Sequence, residues 1–304
     1  MERPRCVVLP EGRGERLERA VEDGGGQLVA PDQAEAVIWA DPGDPAGLKQ
    51  VLATHPGIRW VQLPFAGIEP FVELLDDDRT WTCGKGVYAE PVAEHALMLA
   101  LAGLRGGVRY ARENAWSEPH GINLLNARVT IVGGGEIARS LVRLLRPFAP
   151  YLTVVRNRPE PLDGVAQILP SSRLVEAVSD ADVVFLALAL TPETEGIVDA
   201  EVLAAMPEHA WLVNVARGKH VDTDALIRAL TDGTIGGAAL DVTDPEPLPE
   251  DHPLWQLPNV LITPHVGNTP EMGAPLLAAR VRENVTRYAK GEELLGPVYV
   301  DLGY

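Results

Sequence analysis

The chain has 304 residues, 46% of them hydrophobic and 23% charged, with 29 Gly and 26 Pro. These proportions exclude a disordered or fibrous chain and allow one large α/β domain or two ordinary ones. With 26 Lys and Arg against 43 Asp and Glu, the formal net charge is −17, so nucleic acid or an anionic membrane would meet net repulsion and an anionic ligand needs a few locally placed cations.

The N-terminus runs from Met1 directly into Cys6-Val7-Val8-Leu9, a strand-like run too short and too early for a secretory signal. The longest apolar stretches, 96–104 and 183–190, are shorter than the ~18 residues a membrane span requires. A cytoplasmic protein is therefore expected. Cys6 and Cys83 form no CxxC pair and read as two free thiols.

The first ninety residues read as a small α/β unit. Its predicted parts are the strand at Cys6-Val7-Val8-Leu9, a helix over 15–21, and strands at Val37-Ile38-Trp39 and 59–63, with Asp41-Pro42-Gly43-Asp44-Pro45 as a turn. A strongly apolar helix is predicted over 92–104, following Pro91.

From Val129 onward, short apolar runs alternate with helix-length segments, the pattern of βαβ units in a parallel sheet. The predicted strands are Val129-Thr130-Ile131-Val132, Leu152-Thr153-Val154-Val155, Ala166-Gln167-Ile168-Leu169, 182–189, Trp211-Leu212-Val213-Asn214, 237–241 and Val260-Leu261-Ile262. Most are apolar on both faces, as strands covered by helices must be. A helix over 136–145 places Ile137, Leu141 and Leu144 on its core face, and a last helix is predicted around 274–289.

The first of these strands runs into Gly133-Gly134-Gly135-Glu136-Ile137-Ala138, a GxGxxA loop followed by a helix start. Gly133 permits the tight turn, Gly135 lets the backbone approach a pyrophosphate, Ala138 allows close helix-to-strand packing, and the free N–H groups around Glu136 and Ile137 meet the anion. A dinucleotide site usually carries an Asp or Glu after the next strand to bind the ribose hydroxyls. Here Arg156-Asn157-Arg158 stands at that place. Two guanidiniums suit a 2′-phosphate, so NADP(H) is expected over NAD(H); the alternative is a solvated strand end.

Three later strands run into polar residues of different type: Arg217, Glu246 and His265. In a doubly wound sheet these gather beyond the carboxyl ends of the strands. Arg217 can hold a substrate carboxylate, His265 can donate a proton to a carbonyl oxygen, and Glu246 can hydrogen-bond the imidazole and favour its protonated form. The set fits reduction of a 2-oxo acid. Singly, each could be an exposed loop charge or a structural histidine. The other histidines, at 55, 95, 120, 209, 220 and 252, show no metal-ligand spacing, and no GxSxG elbow is present, so neither a metal nor a serine nucleophile is expected.

These motifs, with Leu190-Thr191-Pro192-Glu193-Thr194, Asn214-Val215-Ala216-Arg217-Gly218, Leu240-Asp241-Val242, Glu246-Pro247-Leu248-Pro249 and Thr263-Pro264-His265-Val266, resemble the D-isomer-specific 2-hydroxyacid dehydrogenase family in order and over most of the chain. The resemblance implies a Rossmann doubly wound parallel sheet domain over 92–268 and a smaller, discontinuous flavodoxin-like α/β substrate domain over 1–91 and 269–304. It implies Arg217, Glu246 and His265 as catalytic residues. Thr194, Val215, Ala216 and Asp241 would contact the cofactor, Asp241 at the nicotinamide carboxamide, and the backbone at Ala66 and Gly67 would receive the substrate carboxylate.

It further implies a site between domains that close on substrate, and a homodimer joined partly by the helix over 92–104. Arg156-Asn157-Arg158 is similar to the segment of NADPH-linked glyoxylate and hydroxypyruvate reductases. Thr243 and Ala189 stand where the family often has Phe and Pro. A phosphoglycerate dehydrogenase is the nearest alternative, and a dinucleotide-sensing corepressor-like protein is an alternative of another class. A formate dehydrogenase would pair its histidine with Gln, against which Glu246 speaks.

Overall fold

The computed structural model describes residues 3–157 and 160–299. Two compact units are present: Met1–Tyr88 with Thr269–Tyr304, and Ala89–Asn268.

The first unit holds an all-parallel sheet of β1 (Arg5–Leu9), β2 (Gln27–Leu28), β3 (Ala36–Trp39), β4 (Trp60–Gln62) and β5 (Thr80–Thr82) in the order β2-β1-β3-β4-β5. This is the flavodoxin-like order. Helix α1 (Glu15–Asp23) extends two residues beyond the predicted end, and the C-terminal helix spans Pro270–Lys290 rather than 274–289. The segment 41–45 is more than the predicted turn. Asp44 caps a helix, α2 (Pro45–Thr54), by accepting from the Gly47 N–H at 2.8 Å, while Pro45 occupies the first helical position, where no N–H is needed.

The second unit begins with α3 (Ala89–Leu104) and the single turn α4 (Gly107–Tyr110). Helix α3 starts three residues before the predicted 92, because Pro91 falls in its first turn and removes no helical hydrogen bond. There follow β6 (Arg128–Val132), α5 (Glu136–Leu145), β7 (Tyr151–Val155), β8 (Gln167–Leu169), α6 (Leu174–Val178), β9 (Val183–Leu186), α7 (Ala200–Ala205), β10 (Trp211–Asn214), α8 (Thr223–Thr231), β11 (Gly237–Leu240) and β12 (Val260–Ile262).

The sheet order β12-β11-β10-β9-β6-β7-β8 is doubly wound, with its reversal between β6 and β9. All its pairings are parallel. Alternation along β9 divides the core. Val183 and Phe185 join the layer beneath α3 and α5 with Val129 and Ile131, while Val184 and Leu186 join the opposite layer with Leu212 and Leu240. Strand β9 ends at Leu186, short of the predicted 189, because residues 187–190 leave the sheet.

Candidate active site

The glycine loop lies at the reversal of the sheet order. Gly133 has φ +119°, and a Cβ there would stand 2.1 Å from the Ala187 carbonyl oxygen beyond β9, so only glycine lets β6 turn this closely past its neighbour. Gly135 is the N-cap of α5 and no side chain caps that helix. The space a Cβ of Gly135 would enter is open. Ala138 is fully buried, Ile137 packs on the core and Glu136 is exposed, 3.5 Å from Arg139. An uncapped helix start facing open space at a topological switch point fits a pyrophosphate.

After β7, the Arg156 side chain folds over the loop, since a Cβ on Gly134 would meet its Cδ and Nε at 2.8 Å. That side chain is only 12% exposed. It meets Glu160 at 3.4 Å, and its buried Nη1 has no hydrogen-bond partner among the described residues. Asn157 is exposed and accepts from the Ser171 hydroxyl at 2.6 Å. Arg158 lies outside the described residues. An orphaned guanidinium N–H beside the glycine loop fits an added phosphate.

Arg217, Glu246 and His265 follow β10, β11 and β12, three adjacent parallel strands, and so stand at one end of the sheet. The Arg217 turn is built by buried neighbours. Asn214 accepts from the Ala216 N–H at 3.0 Å and donates to the Arg217 carbonyl at 2.9 Å, while Arg217 Nη1 donates to the Ala216 carbonyl at 2.7 Å. Val215 and Ala216 are buried beneath it. His220 is wholly buried, with Nδ1 3.2 Å from the Arg217 backbone nitrogen and Nε2 3.3 Å from the Ala189 carbonyl; burial lowers its pKa and favours the neutral ring. The backbone of Gly218 abuts Thr243, where an added Cβ would lie 2.0 Å from the carbonyl, and this joins the Arg217 turn to the loop bearing Glu246.

His265 Nδ1 lies 2.6 Å from Glu246 Oε1, and Glu246 Oε2 accepts from the Thr243 N–H at 3.4 Å. Both side chains are open to solvent, at 50% and 41% exposure. His265 has φ +54°, a left-handed conformation uncommon for a residue with a Cβ. Such a residue needs surroundings that over-determine it.

Asp241 supplies them. Its carbonyl accepts from the His265 N–H at 2.8 Å. Its Oδ1 accepts from the Thr263 hydroxyl at 2.5 Å and the Val266 N–H at 2.9 Å, and its Oδ2 from the Gly267 N–H at 2.9 Å. His95 Nε2, from α3, stands 3.2 Å from the same Oδ1. Burial pushes this carboxyl up, but hydrogen bonds from His95, Thr263, Val266 and Gly267 outweigh burial and hold it at about 2. The resemblance implied only a cofactor contact for Asp241; the structure also makes it the organiser of the histidine loop.

Thr194 spends its hydroxyl on its own turn, accepting from the Thr191 N–H and donating to the Ala189 carbonyl, both at 2.8 Å. Ala66 and Gly67 belong to the first unit, in the loop after β4, with Ala66 exposed. Sequence reasoning gave no functional part to His95, Thr263, Asn214 or His220. Only Asn214 and Thr263 carried a signal, as members of the quoted motifs. Among the described residues, no group of three or more His, Cys, Asp or Glu could hold a metal ion, and no helix is long and apolar enough to cross a membrane.

The profile of a family described as "D-isomer specific 2-hydroxyacid dehydrogenase, NAD binding domain" matches residues 95–267. A Corynebacterium melassecola protein, named only as an uncharacterized protein in the proB 3′ region, is 38% identical over 81% of this chain and 84% of its own. Glyoxylate/hydroxypyruvate reductase A of Serratia proteamaculans is 29% identical over 88% and 87%. Among solved structures, a D-isomer specific 2-hydroxyacid dehydrogenase from Xanthobacter autotrophicus Py2, in complex with NADPH and MES, superposes with a TM-score of 0.84 at 27% identity, covering 100% of both chains.

Proposed function

The chain belongs to the D-isomer specific 2-hydroxyacid dehydrogenase family, and from that membership we propose that it reduces small 2-oxo acids of the glyoxylate and hydroxypyruvate class, with Arg217, Glu246 and His265 as catalytic residues. The observation that carries this reading is the 2.6 Å contact of His265 Nδ1 with Glu246 Oε1 at the sheet end that also bears Arg217.

A bound nicotinamide nucleotide supplies the hydride. The chain's own residues do the rest. A carboxylate only accepts, so in the contact with Glu246 it is His265 Nδ1 that carries the hydrogen, and Nε2 is left to hold a proton for the substrate oxygen. Arg217 pairs with the substrate carboxylate and draws charge toward the developing alkoxide. The uncapped start of α5, with Gly133, Gly135, Glu136 and Ile137, would hold the pyrophosphate. Thr194, Val215, Ala216 and Asp241 would line the cofactor's path, and the backbone at Ala66 and Gly67 would receive the substrate carboxylate.

The preferred cofactor in this reading is NADP(H). Arg156 with its orphaned Nη1 supports it, as does the absence of an acid directly after β7 and the NADPH-bound relative. Arg158 would share the phosphate. NAD(H) would be used less well. A homodimer in the cytoplasm completes the proposal: Met98 on α3, with Tyr110, Trp116 and Leu125 after it, exposes large apolar side chains in one stretch of the second unit.

A steady-state panel of glyoxylate, hydroxypyruvate, pyruvate and bulkier 2-oxo acids with NADPH and NADH tests these statements together. The highest kcat/KM is expected for glyoxylate or hydroxypyruvate with NADPH. Nucleotide binding without reduction of any of them would favour a corepressor-like role and defeat the proposal.

A further inference from the structure

Helix α3 sends one polar side chain, His95, into the structure behind the site, and the reaction as described gives it no task. Its Nε2 lies 2.9 Å from Thr263 Oγ1 and 3.2 Å from Asp241 Oδ1. Counting protons fixes the direction of these bonds. The Thr263 hydroxyl has one hydrogen, and its 2.5 Å contact with Asp241 uses it, because a carboxylate can only accept. Toward His95 the hydroxyl oxygen is then an acceptor. His95 Nε2 therefore carries a hydrogen, shared between the hydroxyl and the carboxylate.

This places His95 at the head of a chain of hydrogen bonds that ends on the histidine loop. Asp241 holds the backbone of His265, Val266 and Gly267, and Thr263 lies at the start of the same loop. His265 at φ +54° stays there only while those bonds are made. The ring of His95 also packs on the loop, since a Cβ on Gly267 would lie 3.7 Å from His95 Cδ2 and from Val92 Cγ2. Packing alone could be kept by an apolar side chain; the donated hydrogen could not.

We propose that His95 is a positioning residue for the reduction: its Nε2–H, through Thr263 and Asp241, holds the 263–267 loop in the conformation that keeps His265 on Glu246. The inference rests on the reading of His265 as proton donor. It adds a residue on α3 that need not touch substrate or cofactor.

The test compares His95→Leu, which keeps bulk without a donor, with His95→Gln, which keeps an N–H of similar reach, and with Thr263→Val, in the full chain. Three quantities are read: kcat and KM for glyoxylate with NADPH, hydrogen exchange of the amides in 260–268, and the imidazole nitrogen shifts of His95 in the unsubstituted protein. His95→Leu is expected to lower kcat roughly 10- to 100-fold, the worth of one hydrogen bond to a charged group, with KM for NADPH nearly unchanged. Exchange at Val266 and Gly267 should quicken in the same variant. His95→Gln should restore both, and Thr263→Val should reproduce the loss.

A kcat for His95→Leu within about twofold of the parent, an equal loss in His95→Gln with folding intact, or an unprotonated Nε2 would overturn the proposal. If the parent protein reduces no 2-oxo acid, the functional reading falls, while the exchange and nitrogen-shift measurements still decide whether His95 holds the loop.

Discussion

Asp241→Asn changes one atom of a side chain that is 3% exposed, yet four donors depend on it. The carboxyl ionises at about 2 in the folded chain against an ordinary 3.8. That difference corresponds to roughly 2 to 3 kcal/mol of folding stability at neutral pH. The amide also cannot satisfy every partner. With its oxygen turned to Thr263, Val266 and His95, its NH2 faces the Gly267 N–H, and a buried unpaired donor costs about 1 to 3 kcal/mol.

The two figures describe overlapping effects, so Asp241→Asn is expected to lose roughly 2 to 4 kcal/mol at neutral pH. The sign with pH follows from the lowered value. Stabilisation by the ionised group is complete above its unfolded value near 3.8 and is lost as pH falls from there toward about 2. The gap between parent and variant should therefore be constant from pH 7 to about 5 and shrink below about 4. Urea unfolding followed by circular dichroism over that range measures it, with the transition of the second unit treated separately if the two units unfold apart. A loss below about 0.5 kcal/mol, or a gap that does not narrow in acid, would refute the reasoning.

Gly133→Ala should weaken nucleotide binding at least about tenfold and lower Tm, because the new Cβ would meet the Ala187 carbonyl at 2.1 Å in a backbone with φ +119°; calorimetric titration with NADPH checks the first effect and thermal unfolding the second. Arg156→Ala should lower kcat/KM for NADPH roughly 10- to 100-fold while leaving NADH within about threefold, since only the former carries the phosphate that a guanidinium would pair. Equal losses with both nucleotides would remove Arg156 from cofactor selection.

Much of the second unit could be read in the sequence because its signals are local. Each strand is a short apolar run, and Gly133, Arg217, Glu246 and His265 each stand within six residues of the end of one, so the parallel order brings them to one end of the sheet. Where signals were not local, the reading failed. The run 182–189 is apolar throughout, and nothing in it marks that the sheet is left after Leu186 to pass beneath Gly133. Asp44-Pro45 looked like a turn because the residues that make turns also cap helices. His95 and Thr263 are 168 residues apart, and Asp241 is 22 before Thr263, so their hydrogen-bond chain exists only once α3, β11 and β12 are packed. His220 and Asn214 shape the Arg217 turn through contacts only two or three residues away, and their part was missed because a polar residue type does not mark burial.

The central claim is that His265, held by Glu246, gives the proton that completes reduction of a 2-oxo acid. The most direct test is kcat for hydroxypyruvate reduction by His265→Ala at saturating NADPH, with the nucleotide Kd measured on the same sample. A fall of roughly a hundredfold or more, with Kd within about threefold of the parent, is predicted. Turnover near that of the parent would contradict it.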